Sequence, residues 1–228
     1  MKDIKARRGA FYLRRAVAEG EHERQDFKYL ISDAAKIARS ISAFANHSGG
    51  CLLIGVKDNG TIAGVRNEED VYVVEQAAQL YCRPSQPVEF TAFTAEDGAM
   101  VIRAEIRPHT GRSVMARHAD GSWHAYFRVA DENILAPDLM VKAWERKKRG
   151  EDSVVCLNPS QRQLLCSLEA AGENGASLAE LMKEARMSEA AASDTVTALY
   201  AMGVADFRFG PDRTFRIVFA ESGPDTDF

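Results

Sequence analysis

The stretch 43-AFANHSGGCLLIGVKDNGTIAGV-65 places two adjacent glycines, Gly49 and Gly50, between a helix-like run and an apolar strand-like run. Glycine-rich turns cradle phosphate when their amides point out of a helix N-terminus, as in G-x-x-x-x-G-K-[ST] loops. Here the glycines follow the helix, where the negative end of its dipole repels anions. No Lys-Ser or Lys-Thr comes after either glycine. The pattern therefore disfavours ATP and predicts a helix end that lets the next element pack closely.

Cysteine and histidine spacings predict no metal site. The cysteines, at positions 51, 82, 156 and 166, form no C-x-x-C pair and have no His at zinc spacing. Reduced thiols in a cytoplasmic protein are expected, with Cys51 as a small buried hydrophobe. His109, His118 and His124 share an arginine-rich stretch, but their spacing matches no standard zinc pattern. We interpret that stretch as a loop that orders on a ligand.

Composition is typical of a globular protein, with 228 residues, 46% hydrophobic and 27% charged. No run approaches the roughly 18 apolar residues of a membrane span, and the basic N-terminal stretch lacks the apolar core of a signal peptide.

Residues 1–150 carry 23 Lys and Arg against 20 Asp and Glu, whereas residues 151–228 carry 6 against 13. Polyanion contacts are therefore favoured in the first part, although so small a surplus also arises from undirected drift of surface charge.

Periodicity predicts an α+β arrangement in the first part of the chain. Helices are expected over residues 1–20, from the Ser32-Asp33 cap to Asn46, over Glu68–Tyr81 and over Asp138–Arg149. Strands are expected within residues 21–30, at Trp123–Val129, and in two hairpins, Cys51–Val56 with Thr61–Val65 and Val88–Ala95 with Met100–Arg107.

Around Gly150–Asp152 the composition changes, and we place a domain boundary there. The second domain, residues 153–222, contains three predicted helices and then two strands, the order of a winged helix-turn-helix. Its third helix has no Lys or Arg and carries Glu189 and Asp194, which disfavours phosphate contact. We expect this domain to pair with its own copy or with another protein. The arginines of the wing are the remaining candidates for DNA contacts in this domain.

The central run resembles the Schlafen/Alba-like (AlbA_2) domain. It is preceded by 26-DFK-28 and followed by 126-YFRV-129, similar to the family's EFK, AFANT-GG-x-LLIGV-x-D-x-G and later (Y/F)-x-R. The resemblance covers about residues 18–136. It implies an α+β domain over residues 1–150, with a mixed sheet and packed helices, that binds nucleic acid as a transcriptional regulator does, DNA being favoured over RNA. The structural motif positions are Asn46, Gly49, Gly50, Gly55, Gly60 and Gly64.

In nuclease-active Schlafen proteins three acidic residues are implicated in metal-dependent cleavage of RNA. The matching positions here are Glu21, Asp26 and Asp58, with Asp in place of the usual Glu at 26. The resemblance implies a Mg²⁺ or Mn²⁺ site only if the protein is a nuclease, and no cofactor otherwise. Each acid also has an ordinary interpretation: a turn cap for Asp58, solvated surface for Glu21, and an ion pair with Lys28 or Arg24 for Asp26.

Candidate nucleic-acid contacts are the basic residues near this motif and in the wing, namely Lys28, Arg39, Lys57, Arg112, Arg117, Arg128, Arg208 and Arg213. Trp123 and Tyr126 offer rings for base stacking, although aromatic residues in strands more often lie in a core. The favoured interpretation is a cytoplasmic homodimer. Its N-terminal domain would contact nucleic acid and its C-terminal domain would assemble. An interaction module that binds no nucleic acid stays an alternative.

Overall fold

The computed structural model describes residues 7–65, 69–111, 113–150, 156–210 and 213–220. The fold is α+β, as predicted, and the chain divides into two compact units, Met1–Ala136 and Pro137–Phe228. The division precedes the helix Asp138–Arg149, whereas the sequence placed the boundary after it. The reason is that Leu139 packs into the apolar core of the second unit. None of the helices in the described ranges has the length and apolar character needed to cross a bilayer.

The described residues of the N-terminal unit form three helices and two sheets. The helices are α1 (Ala10–Glu19), α2 (Ala34–Ala45) and α3 (Glu69–Leu80). A mixed sheet has the order β1-β5-β6-β3-β2, formed by Arg7–Arg8, Val88–Thr94, Met100–Ile106, Gly50–Ile54 and Gln25–Lys28. A second sheet has the order β4-β7-β8-β9, formed by Cys82–Arg83, Met115–Arg117, Trp123–Val129 and Glu132–Leu135. Strand β2 is an edge strand parallel to β3.

Helix α2 is the centre of this unit. Asp33 caps it by accepting hydrogen bonds from the amides of Ala35 and Lys36, as the sequence predicted. Most of its residues from Ile37 to Ala45 are buried, and the helix contacts strands of both sheets. A helix that is apolar almost all round must be covered on every side, and the two sheets and α3 provide that cover.

Asn46 fastens the end of α2 to the second sheet. Its Oδ1 accepts from the amide of Val114 at 2.8 Å. Its Nδ2 donates to the carbonyls of Val114 at 2.9 Å and Tyr126 at 3.0 Å. Buried backbone groups need such partners, so this motif residue has a structural function.

The first predicted hairpin is wrong in its second strand. Strand β3 pairs instead with β6 on one side and β2 on the other, and residues 61–65 add only the isolated Val56–Ile62 bridge. The turn itself forms, with the Lys57 amide bonded to the Thr61 carbonyl at 3.0 Å. The carbonyl of Gly55 then accepts from the amides of Ala63 and Gly64. This fold-back prevents the chain from running alongside β3.

In the C-terminal unit, the part of the chain that the structure describes forms four α-helices and a two-stranded sheet. The helices are α4 (Asp138–Arg149), α5 (Pro159–Ala171), α6 (Leu178–Ala185) and α7 (Glu189–Ala201), with a 3₁₀ turn at Gly172–Asn174. The strands are β10 (Ala205–Phe209) and β11 (Phe215–Phe219), paired antiparallel, and Ala176 adds a bridge to Ile217. Asn158 and Ser177 form capping boxes that begin α5 and α6.

The glycine pair separates α2 from β3. Gly49 has φ +75°, and its amide donates to the Phe44 carbonyl at 3.0 Å. A Cβ on Gly49 would lie 2.8 Å from Pro108 Cδ and 2.9 Å from the Ile106 carbonyl oxygen, while one on Gly50 would overlap the Phe44 ring. Gly49 therefore ends the helix in the left-handed conformation, and both glycines let neighbouring groups approach closely.

We predict that Gly49→Ala destabilises the fold much more than Gly98→Ala does. Gly98 has a similar φ of +86°, but an added Cβ there meets nothing within 4 Å. The control therefore measures backbone strain alone, about 1 kcal/mol, whereas Gly49→Ala adds the steric clash and should cost about 3 kcal/mol. Urea unfolding of both variants measures the difference. Equal losses would show that close packing at the glycine pair is unimportant.

Candidate functional site

Glu21 and Asp26 meet beside the edge strand β2. The Glu21 Oε1 accepts from the amide of Phe27 at 2.8 Å, and the two carboxyl groups share a hydrogen bond. Burial raises the pKa of Glu21 to about 7, and the hydrogen bond and repulsion from Asp26 act in the same direction. Near neutral pH, Glu21 therefore carries a proton about half of the time and can donate it to Asp26.

Asp26 is the ionised member of the pair. Its side chain lies 2.8 Å from Lys28 Nζ and 3.6 Å from Arg128 Nη2, and it accepts from Ser40 Oγ at 3.3 Å. Burial alone would raise the pKa of Asp26, but the hydrogen bond from Glu21 and the two cations outweigh it and lower the pKa. A buried carboxylate of this kind is stabilised by its partners.

Arg128 does not contact solvent, which corrects its assignment as a phosphate contact. It is 1% exposed, and its guanidinium donates to the carbonyls of His22 and Gln25 and to Asn133 Oδ1. It therefore holds β8 and β9 against β2. The sequence did contain a signal for this burial, because strand alternation places Arg128 on the same side as the aromatic Tyr126. In the structure both side chains are buried.

Asp58 lies in an exposed turn. The turn cap expected from it is supplied instead by Asn59, whose Oδ1 accepts from the Thr61 amide at 3.0 Å. Within the described ranges, no three His, Cys, Asp or Glu side chains are grouped closely enough to hold a metal ion. Asp26 is already engaged by cations. As placed, Glu21, Asp26 and Asp58 do not fit the hard, carboxylate-rich shell of Mg²⁺ or Mn²⁺.

The other predicted cations lie in different surroundings. Lys57 is exposed, with its Nζ 5.0 Å from the centre of the Tyr29 ring, and Arg117 is exposed on β7. Arg39 is half-buried against Tyr126, while Lys28 is bonded to Asp26 and to the Phe27 carbonyl. The remaining N-terminal candidate, Arg112, lies outside the described residues.

Arg83 was missed by the sequence reasoning. Its guanidinium carbon lies 4.3 Å from the centre of the Trp123 indole ring. The two residues are 40 positions apart and meet because β4 and β8 both pair with β7. Nothing in the sequence around Arg83 indicated a partner at Trp123.

In the C-terminal unit, α4 covers one side of α7. Arg146 Nη1 lies 2.6 Å from Asp194 Oδ1 and bonds to Thr197 Oγ1, and Lys147 Nζ lies 5.3 Å from the centre of the Tyr200 ring. The apolar side of α7, formed by Ala192, Val196 and Leu199, packs into the core. At 100° per residue, Asp194 and Thr197 lie on the other side. Asp194 of α7 is thus neutralised by Arg146 of α4.

The observed division also changes the charge argument. Residues 1–136 carry 18 Lys and Arg against 18 Asp and Glu, and residues 137–228 carry 11 against 15. The N-terminal surplus expected from the sequence is therefore wrong, because it belonged to α4. The wing arginines Arg208 and Arg213 are exposed. An N-terminal interface with nucleic acid has to depend on local groups rather than on net charge.

The N-terminal unit is an α+β domain with a mixed sheet. It has a glycine pair after its central helix and a buried Asp–Arg pair. Residues 21–137, just over half of the chain, match the family described as Schlafen, AlbA_2. The chain belongs to this family. Membership suggests a nucleic-acid-binding or nuclease-like role.

Other comparisons add little. No curated protein matches the chain. Among solved structures, the DIP2311 protein from Corynebacterium diphtheriae is similar, with 18% identity and a TM-score of 0.44. That alignment covers 81% of this chain and 33% of the other, so this chain spans about a third of that protein's length.

We predict that Glu21→Gln removes a pH dependence of stability. The pKa of Glu21 is raised from 4.5 to about 7 in the folded protein, so the folded state binds more protons than the unfolded state across that window. Wild-type stability therefore falls as pH rises from 4.5 to 7. Gln keeps both hydrogen bonds without titrating. Because Glu21 is half-exposed, we expect the variant to gain roughly 1 kcal/mol relative to wild type across the window.

Urea unfolding at a series of pH values measures this difference. Contributions from other groups, such as His47, whose pKa is lowered by burial, are common to both proteins and cancel. Parallel stability profiles would contradict the raised pKa of Glu21.

Proposed function

We propose that the N-terminal unit binds nucleic acid and that the protein acts as a transcriptional regulator, with DNA preferred to RNA. The observation that carries this proposal is a pair of cation–aromatic contacts, Lys57 with Tyr29 and Arg83 with Trp123. In each contact the cation is suited to a phosphate, and the aromatic ring beside it is suited to stacking on a base. Family membership supports the same conclusion.

We propose that the C-terminal unit is a winged helix-turn-helix that serves assembly rather than DNA reading. The order of α5, α6, α7, β10 and β11, with the bridge from Ala176 to Ile217, supports that topology. The second helix of such a motif normally enters the major groove with its outer side. In this unit the corresponding side of α7 lies against α4. Sedimentation of the full-length chain tests the proposed homodimer, which a monomer at every concentration would contradict.

We predict that the full-length protein binds DNA with an affinity that falls as salt increases, and that Lys57→Ala/Arg117→Ala weakens this dependence. Two phosphate contacts contribute a slope of about 1.5 in log affinity against log salt. The matched control is Arg14→Ala/Arg15→Ala, which also removes two exposed cations, each of them paired with a glutamate. Fluorescence anisotropy over a range of salt concentrations measures both slopes. An equal change in the control would contradict the assigned location.

The metal-dependent endoribonuclease is the second candidate, because Glu21 and Asp26 share a hydrogen bond at the family's acidic positions. The geometry does not favour it, since Asp26 is engaged by cations and Asp58 lies apart. Incubating structured RNA with the protein and Mn²⁺ tests this candidate, and we expect no cleavage. Cleavage by wild type that is lost in Glu21→Gln would establish the nuclease. This variant is preferable to Asp26→Ala, which would leave Arg128 buried without its anion.

A further inference from the structure

A cavity of about 390 Å³ opens where α3 ends beside strands β4, β7 and β8. Its lining includes Gln79, Leu80, Cys82, Arg83, Arg117 and Trp123. Leu80 is 63% exposed at its edge. The cavity therefore combines an amide, an apolar rim, a stacked arginine and an indole, a mixture that is suited to a flat, polar-edged ligand.

The two arginines of this cavity lack carboxylate partners among the described residues. Elsewhere in the described part of the chain, ion pairs with carboxylates are formed by other arginines, among them Arg14, Arg15, Arg103, Arg107, Arg128, Arg146 and Arg216. Arg83 lies against the Trp123 ring instead, and Arg117 extends from β7 into solvent. Two unneutralised guanidinium groups at one cavity favour an anionic ligand.

The backbone around the cavity is held by regular pairing. Arg83 pairs with Met115, and Arg117 pairs with Trp123. The Arg117 amide also donates to the Tyr81 carbonyl at 2.8 Å. A site on paired strands is positioned before its ligand arrives, which lowers the entropy lost on binding.

We propose that this cavity binds one unpaired nucleotide of a single-stranded nucleic acid. The base stacks on the Arg83–Trp123 pair, of which Arg83 is exposed and Trp123 half-buried, and Arg117 holds the adjacent phosphate. A base in a duplex has both faces covered by its neighbours, so the site selects single strands. The inference rests on the proposed nucleic-acid-binding function and adds the strandedness of the ligand. An acidic peptide could satisfy the arginines but would leave the stacking surface without a matching group.

The test uses the full-length chain and three labelled probes, oligo(dT), oligo(U) and a blunt DNA duplex of equal length, with fluorescence anisotropy as the measurement. We expect the single strands to bind more tightly than the duplex. Trp123→Ala should weaken oligo(dT) binding about tenfold, the usual effect of losing one stacking residue. Arg83→Ala and Arg117→Ala should each weaken it several-fold. The control Arg107→Ala removes an exposed arginine paired with Glu89 and should change affinity less than about twofold.

Tryptophan fluorescence provides an independent readout, since the chain contains two tryptophans, Trp123 and the buried Trp144. In Trp144→Phe, emission comes from Trp123 alone and should be quenched as oligo(dT) binds. Should Trp123→Ala fail to fold, this measurement and the exposed Arg117→Ala variant still decide the question.

The outcomes separate the two proposals. If wild type binds single strands but the cavity variants bind as tightly, or if Trp123 emission is unchanged at saturation, the nucleotide site is wrong and the proposed function stands. Duplex binding equal to or tighter than single-strand binding also overturns the site alone. If wild type binds none of the probes at physiological salt, both proposals fail.

Discussion

The N-terminal unit depends on one buried ion pair, between Asp26 on the edge strand β2 and Arg128 on β8. Transferring either charge from water into a protein interior is strongly unfavourable unless it is paired and hydrogen-bonded. The guanidinium is 1% exposed and the aspartate 3% exposed, so each requires the other. Asn133 extends the network, since it accepts from Arg128 and donates to Ser40 on α2 at 2.9 Å. One network therefore joins β2, α2, β8 and β9.

The neighbouring carboxyl group of Glu21 belongs to the same network. Because the hydrogen bond from Glu21, together with Lys28 and Arg128, lowers the pKa of Asp26 while burial raises the pKa of Glu21, the proton that the two acids share belongs to Glu21. Two carboxyl groups with pKa values displaced in opposite directions are often found in active sites, but structural networks displace them too. Here the ionised member is enclosed by three partners. The separation of the two pKa values is therefore explained by the structure of the fold and does not require a catalytic role.

The sequence predicted those features that local residues determine. Helices α2 and α4 begin and end within about one residue of the predicted bounds, and the Asp33 cap marks the start of α2. The partners of β3 were not predictable in this way, since β6 lies some 50 residues further along the chain. Arg83 and its contact with Trp123 were missed for the same reason. Arg128 was placed at the surface because its charge was given more weight than its position beside a buried Tyr126.

The position of α4 changes the functional argument most. When α4 is assigned to the end of the first domain, its run 146-RKKR-149 gives that domain a surplus of positive charge. The same assignment leaves α7 as an exposed acidic helix. In the structure Arg146 of the same run forms an ion pair with Asp194 of α7. The N-terminal unit is left with equal numbers of opposite charges, so long-range attraction cannot be what brings a polyanion to it. Short-range groups have to do so. A cation resting on an aromatic ring is such a group, because it offers a charge to phosphate and a flat surface to a base within one contact.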